Sequence, residues 1–278
     1  MIVHDLHTHT PFSGCGKVTK TVLEKTIKEL DEVVSSSSLM YKLVKETVLE
    51  YLQVAKERKV KVIGFTDHYG AYTNPSIYHK LKNIIEELKP DIIILVGAEV
   101  DIVDENGGTT ISDETREILD YTVSGQHHYT LSYVKKPPLT SLEKTIEYIM
   151  KEIENTFKNP LIDAIGHPWV RALSYLNKNG VKMKLEDIPE EYFYKTCELA
   201  IKYNKPIQVD YRLEWEKKGH LFNGIGKVFR IIAETGCLVF YGSDTHNPRG
   251  LAENFQLTVE RLKKYGFKEE NFWNIILK

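Results

Sequence analysis

Short apolar runs alternate with longer amphipathic segments along most of the chain. The runs are too short for helices, and several are almost continuously apolar, which is typical of parallel strands buried on both faces of a sheet. We therefore predict seven strands, in residues 2–6, 60–66, 92–98, 121–124, 161–166, 206–210 and 238–242.

The segments between these runs carry apolar residues at helical spacing, and each predicts a helix with one buried face. We expect these helices in residues 19–31, 39–58, 76–88, 141–157, 189–203, 224–235 and 252–265, and a further packing helix at the end of residues 262–278. Residues 100–111 depart from the pattern, because they contain the turn sequence Asp104-Glu105-Asn106-Gly107-Gly108. This segment predicts a β-hairpin.

The alternation of strands and helices favours one α/β domain over residues 1–278. Seven strands in a chain of 278 residues favour a (β/α) barrel with seven strands rather than eight. A doubly wound open sheet is the alternative. That fold would place a glycine-rich phosphate loop after the first strand, where this chain has Asp5-Leu6-His7-Thr8-His9 instead. The barrel is therefore the preferred interpretation.

Composition and charge narrow the class of protein. Charged residues make up 27% of the chain and hydrophobic residues 42%, which excludes disorder over the whole length. The net charge is −2, and no basic stretch predicts a stable nucleic acid complex or an anionic membrane partner. The N-terminus lacks the apolar core of a signal peptide, and three widely spaced cysteines do not form a disulfide framework. We expect a cytoplasmic protein.

Six of the ten histidines and two carboxylates lie at or just after the C-terminal end of a predicted strand. Such strand ends meet at one mouth of a parallel barrel, where active sites lie. Imidazole and carboxylate are the usual ligands of zinc, iron and manganese. Eight ligands exceed the needs of one ion, so we expect two or three ions. The eight residues are His7, His9, His68, Glu99, His127, His167, Asp244 and His246.

The direction of side chains along a strand helps to assign individual ligands at two of the strand ends. Residues two apart on a strand point to the same face, so His7 and His9 can bind one ion together. His128 would point away from the mouth if its strand persists, and a local bend would exchange its role with that of its neighbour. We therefore assign the ligand at this strand end to His127.

The strand-end motifs occur in an order that resembles the PHP family, named for polymerase and histidinol phosphatase. Each motif is weak alone, but six in this order are specific. The stretch from His9 to Gly16 resembles the histidinol-phosphatase branch, which usually has histidine where Cys15 stands. The motifs are His7-Thr8-His9, Thr66-Asp67-His68, Gly97-Ala98-Glu99, Gly125-Gln126-His127, Gly166-His167-Pro168 and Ser243-Asp244-Thr245-His246.

The resemblance implies a distorted seven-stranded TIM-like barrel with a trinuclear metal centre at its mouth. By position, the implied ligands are His7, His9, Glu99 and Asp244 for the first ion, Glu99, His127 and His167 for the second, and Cys15, His68 and His246 for the third. Thiolate binds zinc or ferrous iron well and magnesium or manganese poorly. Cys15 therefore either biases the third site toward soft metals or marks its loss.

The implied activity is metal-dependent hydrolysis of a phosphate monoester, with L-histidinol phosphate, and hence histidine biosynthesis, as the first candidate. We expect a hydroxide shared by two ions to attack phosphorus in line. Glu99 would bridge the two ions. The leaving group would receive its proton from Asp244, His246 or Asp210.

Other residues near strand ends are candidates for substrate binding. Arginine binds phosphate oxygens through two parallel hydrogen bonds, which makes Arg171, Arg212 and Arg249 candidates. Four aromatic residues can line the substrate pocket or pack in the core, namely Tyr129, Trp169, Tyr211 and Trp215.

Two alternative functions remain open from the sequence. The first is another hydrolase on the same metals, either a nucleotide phosphodiesterase or exonuclease, or an amidohydrolase-like enzyme. The second is a metal-binding regulatory module without turnover. The complete set of ligands argues against the second alternative.

Overall fold

A computed structural model describes residues 2–28, 36–125 and 129–275, and within these ranges seven parallel strands form one curled sheet in the order β1 to β7. The predicted strands and the seven-stranded barrel-like α/β fold are confirmed. The bounds are β1 (His4–Thr8), β2 (Val62–Tyr69), β3 (Ile93–Asp101), β4 (Tyr121–Gly125), β5 (Ala164–Ile165), β6 (Ile207–Val209) and β7 (Val239–Tyr241).

The barrel is distorted at two places. The pairing of β1 with β2 shifts register between Asp5 and Thr8. The strand β5 has only two residues, and the single pair Ile165–Ile207 joins it to β6. The short later strands leave space between the sheet and the helices that cover it.

The two edges of the sheet meet near the C-terminal ends of the strands. Thr8 forms a parallel bridge with Thr245, just after β7. The Asp244 amide donates to the His7 carbonyl at 2.9 Å, and the His9 amide donates to the Thr245 carbonyl at 2.9 Å. This closure places the motif that follows β1 beside the motif that follows β7.

Helices surround the sheet, and each packs against the sheet or against a neighbouring helix. All seven helices predicted in residues 19–265 are present in the described ranges, and the sequence did not predict the two short helices Asp113–Ile118 and Val170–Lys178. None of the helices in the described ranges is long and apolar enough to cross a bilayer. Their bounds are α1 (Lys20–Lys28), α2 (Ser36–Arg58), α3 (Ser76–Leu88), α4 (Asp113–Ile118), α5 (Leu142–Lys158), α6 (Val170–Lys178), α7 (Glu190–Tyr203), α8 (Ile225–Thr235) and α9 (Phe255–Lys264).

The predicted hairpin is present in reduced form. Ile102 and Thr109 form one antiparallel bridge across the turn. The Asp104 carboxylate accepts hydrogen bonds from the amides of Asn106 and Gly108, at 3.0 and 3.2 Å, and so stabilises the turn.

The helix predicted at the end of residues 262–278 is not a continuation of α9, and residues 276–278, where that segment ends, lie outside the described residues. The helix α9 ends at Lys264, and Gly266 adopts a φ of +88°, which favours glycine. A 3₁₀ turn follows, and the Trp273 amide donates to the Val239 carbonyl at 2.7 Å. Phe272 and Trp273 therefore pair with β7 at the place where the chain leaves this turn.

Apolar side chains fill the barrel near the N-terminal ends of the strands. Tyr121 is fully buried, and its hydroxyl donates to the Leu6 carbonyl at 2.6 Å. The Trp273 ring lies edge-on to Tyr121 and to Phe240, with centroids 5.9 and 6.0 Å apart. The polar residues at the C-terminal ends of the strands therefore lie on the far side of this apolar cluster.

Candidate metal centre

Seven of the nine predicted metal ligands meet at the mouth of the barrel. They come from the C-terminal ends of β1, β2, β3, β5 and β7, which are distant in sequence and lie at the same end of the sheet. Cys15 lies beside them, whereas His127 falls in residues 126–128, outside the described residues. We call the following seven side chains the mouth cluster: His7, His9, His68, Glu99, His167, Asp244 and His246.

Four members of the mouth cluster form a compact set of donor atoms. One ligand atom from each of His7, His9, Glu99 and Asp244 lies within 4.8 Å of the others. The His9 Nε2 atom is 3.2 Å from Asp244 Oδ1, and the His7 Nε2 atom is 3.5 Å from Glu99 Oε2. Ligands about 2.1 Å from one ion lie up to about 4.2 Å apart, so this set fits a divalent ion. It matches the set implied for the first ion.

The charges in the mouth cluster also fit a cation. Glu99 is fully buried, and a buried carboxylate is costly unless a positive charge compensates it. Burial lowers the pKa of His9 to about 3, which keeps this ring neutral and able to bind metal. Burial opposes the charged form of His68, but Glu99, 2.7 Å from its Nδ1 atom, raises the pKa of His68 to about 11. The cluster attracts positive charge, which divalent ions can supply.

Glu99 faces histidines with both carboxylate oxygens. Its Oε1 atom lies 3.0 Å from His167 Nε2, and its Oε2 atom lies 2.7 Å from His68 Nδ1. A carboxylate that bridges two ions needs ligands on both sides of it. His7 and His9 of the first implied set lie 3.5 and 3.6 Å from Oε2, and His167 of the second implied set lies at Oε1. The remaining member of that set is His127, of which the structure gives no description.

A second compact group contains His9, His68 and His246, whose donor atoms also lie within 4.8 Å of one another. The His9 ring stacks on His246 with centroids 4.2 Å apart. The Cys15 thiol is exposed and contacts both His246 and His68. Burial opposes its ionisation, yet these hydrogen bonds lower the pKa of Cys15 to about 6. The implied third set therefore meets in space, with His9 as an additional neighbour.

Two members of the mouth cluster have strained backbones. His167 and Asp244 have φ values of +25° and +53°. Non-glycine residues in this region cost of order 1–3 kcal/mol each and concentrate at functional sites. The amide of Asp244 is held by the His7 carbonyl, so closure of the barrel maintains this conformation.

Gln208 on β6 orients two of the histidines, and the sequence analysis missed it. Its Oε1 atom lies 2.8 Å from His7 Nδ1 and accepts a hydrogen bond from the His167 amide at 3.1 Å. Its Nε2 atom donates to the Gly242 carbonyl at 2.7 Å. In the sequence, Gln208 could have been noticed only as a single amide side chain within the run 206–210. Hydrogen bonds of this kind fix the tautomer and direction of a metal-binding ring.

Asp67 anchors the loop that follows β1. It accepts hydrogen bonds from the Thr10 amide and hydroxyl, both at 2.7 Å, and from the Ser13 hydroxyl. The Ser13 hydroxyl in turn lies 3.0 Å from His9 Nδ1. Burial raises the pKa of Asp67 despite these bonds. The central residue of the Thr66-Asp67-His68 motif thus positions the loop that carries His9 and Cys15.

The three candidate arginines lie in different places. The Arg171 guanidinium, on α6, contacts the Asp244 carboxylate and is 41% exposed. Arg212 forms an ion pair with Asp210 at 3.0 Å, near the same opening. Arg249 lines a separate groove beside α1 and α2. The structure therefore brings two of the three arginines to the mouth cluster.

A cavity of about 230 Å³ opens at the mouth cluster and extends between β5–β7 and the helices α6–α8. Of the four predicted pocket aromatics, Trp169 and Trp215 line this cavity. Tyr129 is buried elsewhere and donates to the Glu152 carboxylate at 2.6 Å, and Tyr211 packs in the core against Phe229. These two tyrosines therefore take the core-packing role.

Comparison with known sequences gives a family match over more than half of the chain. The PHP domain model matches residues 44–207, which contain three members of the mouth cluster. A protein of Acetivibrio thermocellus named "probable phosphatase" is 30% identical over 125 residues, which are 44% of this chain and 47% of that protein. The chain thus spans about half the length of this relative. A "probable phosphatase" of Caldicellulosiruptor saccharolyticus is 24% identical over 226 residues, 81% of this chain and 83% of the relative.

Two solved structures share the fold over nearly the whole chain. A candidate histidinol phosphatase of Listeria monocytogenes aligns with a TM-score of 0.63 and 16% identity, covering 91% of this chain and 99% of that one. Histidinol phosphate phosphatase of Lactococcus lactis, in complex with zinc, L-histidinol and phosphate, aligns with a TM-score of 0.56 and 14% identity, covering 96% and 94%. At these identities the comparison establishes a common fold.

Proposed function

The chain belongs to the PHP domain family, and from this premise we propose that it is a metal-dependent phosphoesterase that acts on phosphate monoesters. The observation that carries the proposal is the mouth cluster, where Glu99 and Asp244 meet five histidine rings beside a cavity. The relatives named "probable phosphatase" support the reaction class. L-Histidinol phosphate is the first substrate to test, because the Lactococcus lactis structure holds L-histidinol and phosphate.

We assign two or three divalent ions of zinc, iron or manganese to this mouth. The proposed ligands are His7, His9, Glu99 and Asp244 for one ion, Glu99, His127 and His167 for another, and Cys15, His68 and His246 for a third. When bound, such ions lower the pKa of an attacking water molecule and neutralise charge on phosphate oxygens.

The arginines at the cavity opening are suited to bind the phosphate group. The Arg171 side chain is partly exposed beside Asp244, so its planar guanidinium can reach a ligand at the mouth. Arg212 also donates to the Ser243 carbonyl at 3.3 Å, which holds its charge next to the opening. Two fixed positive charges at this place would stabilise the charge on phosphate oxygens in the transition state.

Among the residues considered as proton donors, Asp210 is the best placed. Burial raises the pKa of Asp210 to about 6, although the neighbouring Arg212 lowers it, so the carboxyl group holds a proton in part near neutral pH. Burial opposes ionisation of Asp244 as well, but His9, His7 and Arg171 lower its pKa well below the usual range. Asp244 is therefore a ligand and Asp210 a donor to the leaving oxygen.

The proposal is tested with purified protein loaded separately with zinc, iron and manganese. We expect at least two ions per chain by elemental analysis, and hydrolysis of phosphate monoesters in a panel that includes L-histidinol phosphate. Phosphodiesters and lactones in the same panel separate the proposal from the other hydrolase activities. Full metal loading with no hydrolysis of any compound would instead support a regulatory module, and a metal content of one ion or none would contradict the multinuclear centre.

Cys15 provides an independent test of the third set of ligands. We expect Cys15→Ser to reduce the metal content by one ion, because serine is a poor ligand for soft metals. Bound metal should also slow alkylation of Cys15, since a coordinated sulfur is shielded. Cys197 and Cys237 are buried and serve as internal controls, with low reactivity in both states. Equal alkylation rates with and without metal, and unchanged metal content in Cys15→Ser, would show that the thiol is not a ligand.

A further inference from the structure

The cavity beside the mouth cluster has two chemically different ends. At its opening lie His167 and Asp244, which belong to the cluster, and the guanidinium of Arg171. Its inner walls come from β6, α7 and α8, and they are apolar and buried. The inner wall residues include Phe193, Ile207, Val209, Phe229 and Ile232.

The volume of the cavity suits a ring. It measures about 230 Å³, and an apolar cavity of about 150 Å³ already accommodates benzene. Trp169 and Trp215 add flat aromatic surfaces to the wall. The Trp169 indole N–H is satisfied by the Thr196 hydroxyl at 3.2 Å, and that hydroxyl donates to the Tyr192 carbonyl at 2.7 Å. These polar groups of the wall are therefore already paired.

The charges around the cavity disfavour a cationic occupant. Its two lining carboxylates are each paired with an arginine, Asp210 with Arg212 and Asp244 with Arg171. Aromatic rings can bind cations, but Arg212 already lies over the Trp215 ring, 5.5 Å from its centroid.

A second wall ring is also in contact with a resident cation. The Lys227 ammonium group lies 5.4 Å from the centroid of Phe193 and donates to the carbonyls of Glu186 and Ile188, both at 2.8 Å. A further cation would enter an apolar space next to fixed positive charges, which is unfavourable.

We infer that this cavity binds the leaving group of the substrate, and that the preferred substrates are phosphate monoesters of neutral, ring-bearing alcohols. This inference rests on the proposed function, since it places the phosphate at the mouth cluster and the organic part in the cavity. The arginines and the metal ligands receive the anionic end of such an ester, and the inner walls receive its apolar end. Amino alcohol esters, which carry an ammonium group, are disfavoured.

The test compares alkyl phosphates whose leaving groups differ in the ring and in charge. The compounds are 2-phenylethyl phosphate, ethyl phosphate, 2-aminoethyl phosphate and L-histidinol phosphate. We expect kcat/KM for the phenyl compound to exceed that for ethyl phosphate by about 10- to 100-fold, from burial of one ring. Both ammonium-bearing esters should be poorer than the phenyl compound by at least as much. Equal values for the phenyl and ethyl esters, or a preference for either amine, would overturn the inference.

A cavity-filling variant tests whether the preference for the phenyl compound arises in this cavity. Val228 lines the cavity and is only partly buried, so Val228→Phe should reduce the ratio of phenyl to ethyl kcat/KM by about tenfold. Ile201→Phe, on the exposed side of α7, is the matched control and should keep the wild-type ratio. An unchanged ratio in a folded Val228→Phe protein would place the preference elsewhere and contradict the inference.

Failure of the proposed function gives a different result from failure of this inference. If no monoester is hydrolysed, the proposed function is wrong, and calorimetry with phosphonates still tests the cavity. We expect 2-phenylethylphosphonate to bind about 10- to 100-fold more tightly than ethylphosphonate to the metal-loaded protein. Equal affinities would show that the cavity does not bind the organic group.

Discussion

Replacement of Gln208 should weaken the metal centre, although Gln208 is not itself a proposed ligand. Gln208→Met keeps the length of the side chain and removes its contacts to His7, His167 and Gly242. Each buried polar group left without a partner costs about 1–3 kcal/mol, so the loss of partners for three groups should lower the free energy of unfolding by roughly 3–9 kcal/mol. Loss of the bond that directs a metal-binding ring typically lowers metal affinity by about 10- to 100-fold.

The assay is zinc affinity by competition with a chelator, together with urea unfolding in the presence and absence of zinc. Gln53→Met, at an exposed position of α2, is the matched control and should leave both quantities unchanged. Gln208→Glu keeps the acceptor for His7 but loses the donor to Gly242, so it should recover most of the zinc affinity and little of the stability. Wild-type zinc affinity in a folded Gln208→Met protein would refute the positioning role.

Two further predictions concern buried carboxyl groups. Glu99→Gln should lower metal content and activity more than His68→Gln does, because Glu99 faces proposed ligands on both sides. Equal losses in the two variants, measured by elemental analysis and kinetics, would contradict a bridging role for Glu99. Burial raises the pKa of Glu152 from 4.5 to about 8. Between these two pH values the native state retains a proton that the unfolded chain releases. The free energy of unfolding therefore falls as the pH rises from 4.5 to about 8. Glu152→Gln removes this dependence, and its stability relative to wild type should increase by about 3 kcal/mol from pH 5 to pH 8 in urea unfolding. Parallel pH profiles for the two proteins would contradict this.

The positions of the strands and of most candidate ligands could be predicted from sequence because the signals are local. A strand buried on both faces is a short apolar run, and a parallel barrel places the residue after each run at one mouth. His68 and Glu99 lie at such ends. This reasoning needs neither the register of the sheet nor any side-chain conformation.

Features that depend on register or on distant pairing were not predictable in this way. The role of Gln208 requires that β6 bring it next to His7, 201 positions away in sequence. The segment after α9 has helical composition, yet Trp273 pairs with Val239 instead. The contact of Arg171 with Asp244 likewise joins residues 73 positions apart. A linear pattern carries no information about these partners.

The closure of the barrel has a consequence for how the protein acquires its metal during synthesis. His9 and Asp244, whose side chains lie 3.2 Å apart, are separated by 235 positions. A chain emerging from the ribosome presents His9 first, and Asp244 follows only after 235 further residues have been made. Contacts between such distant segments form late in folding. An ion bound by both His9 and Asp244 links the first strand to the last, and it stabilises only the completed barrel. Metal loading is therefore expected to be a final maturation step, and a nascent or truncated chain that lacks the residues after β7 should not form the complete centre.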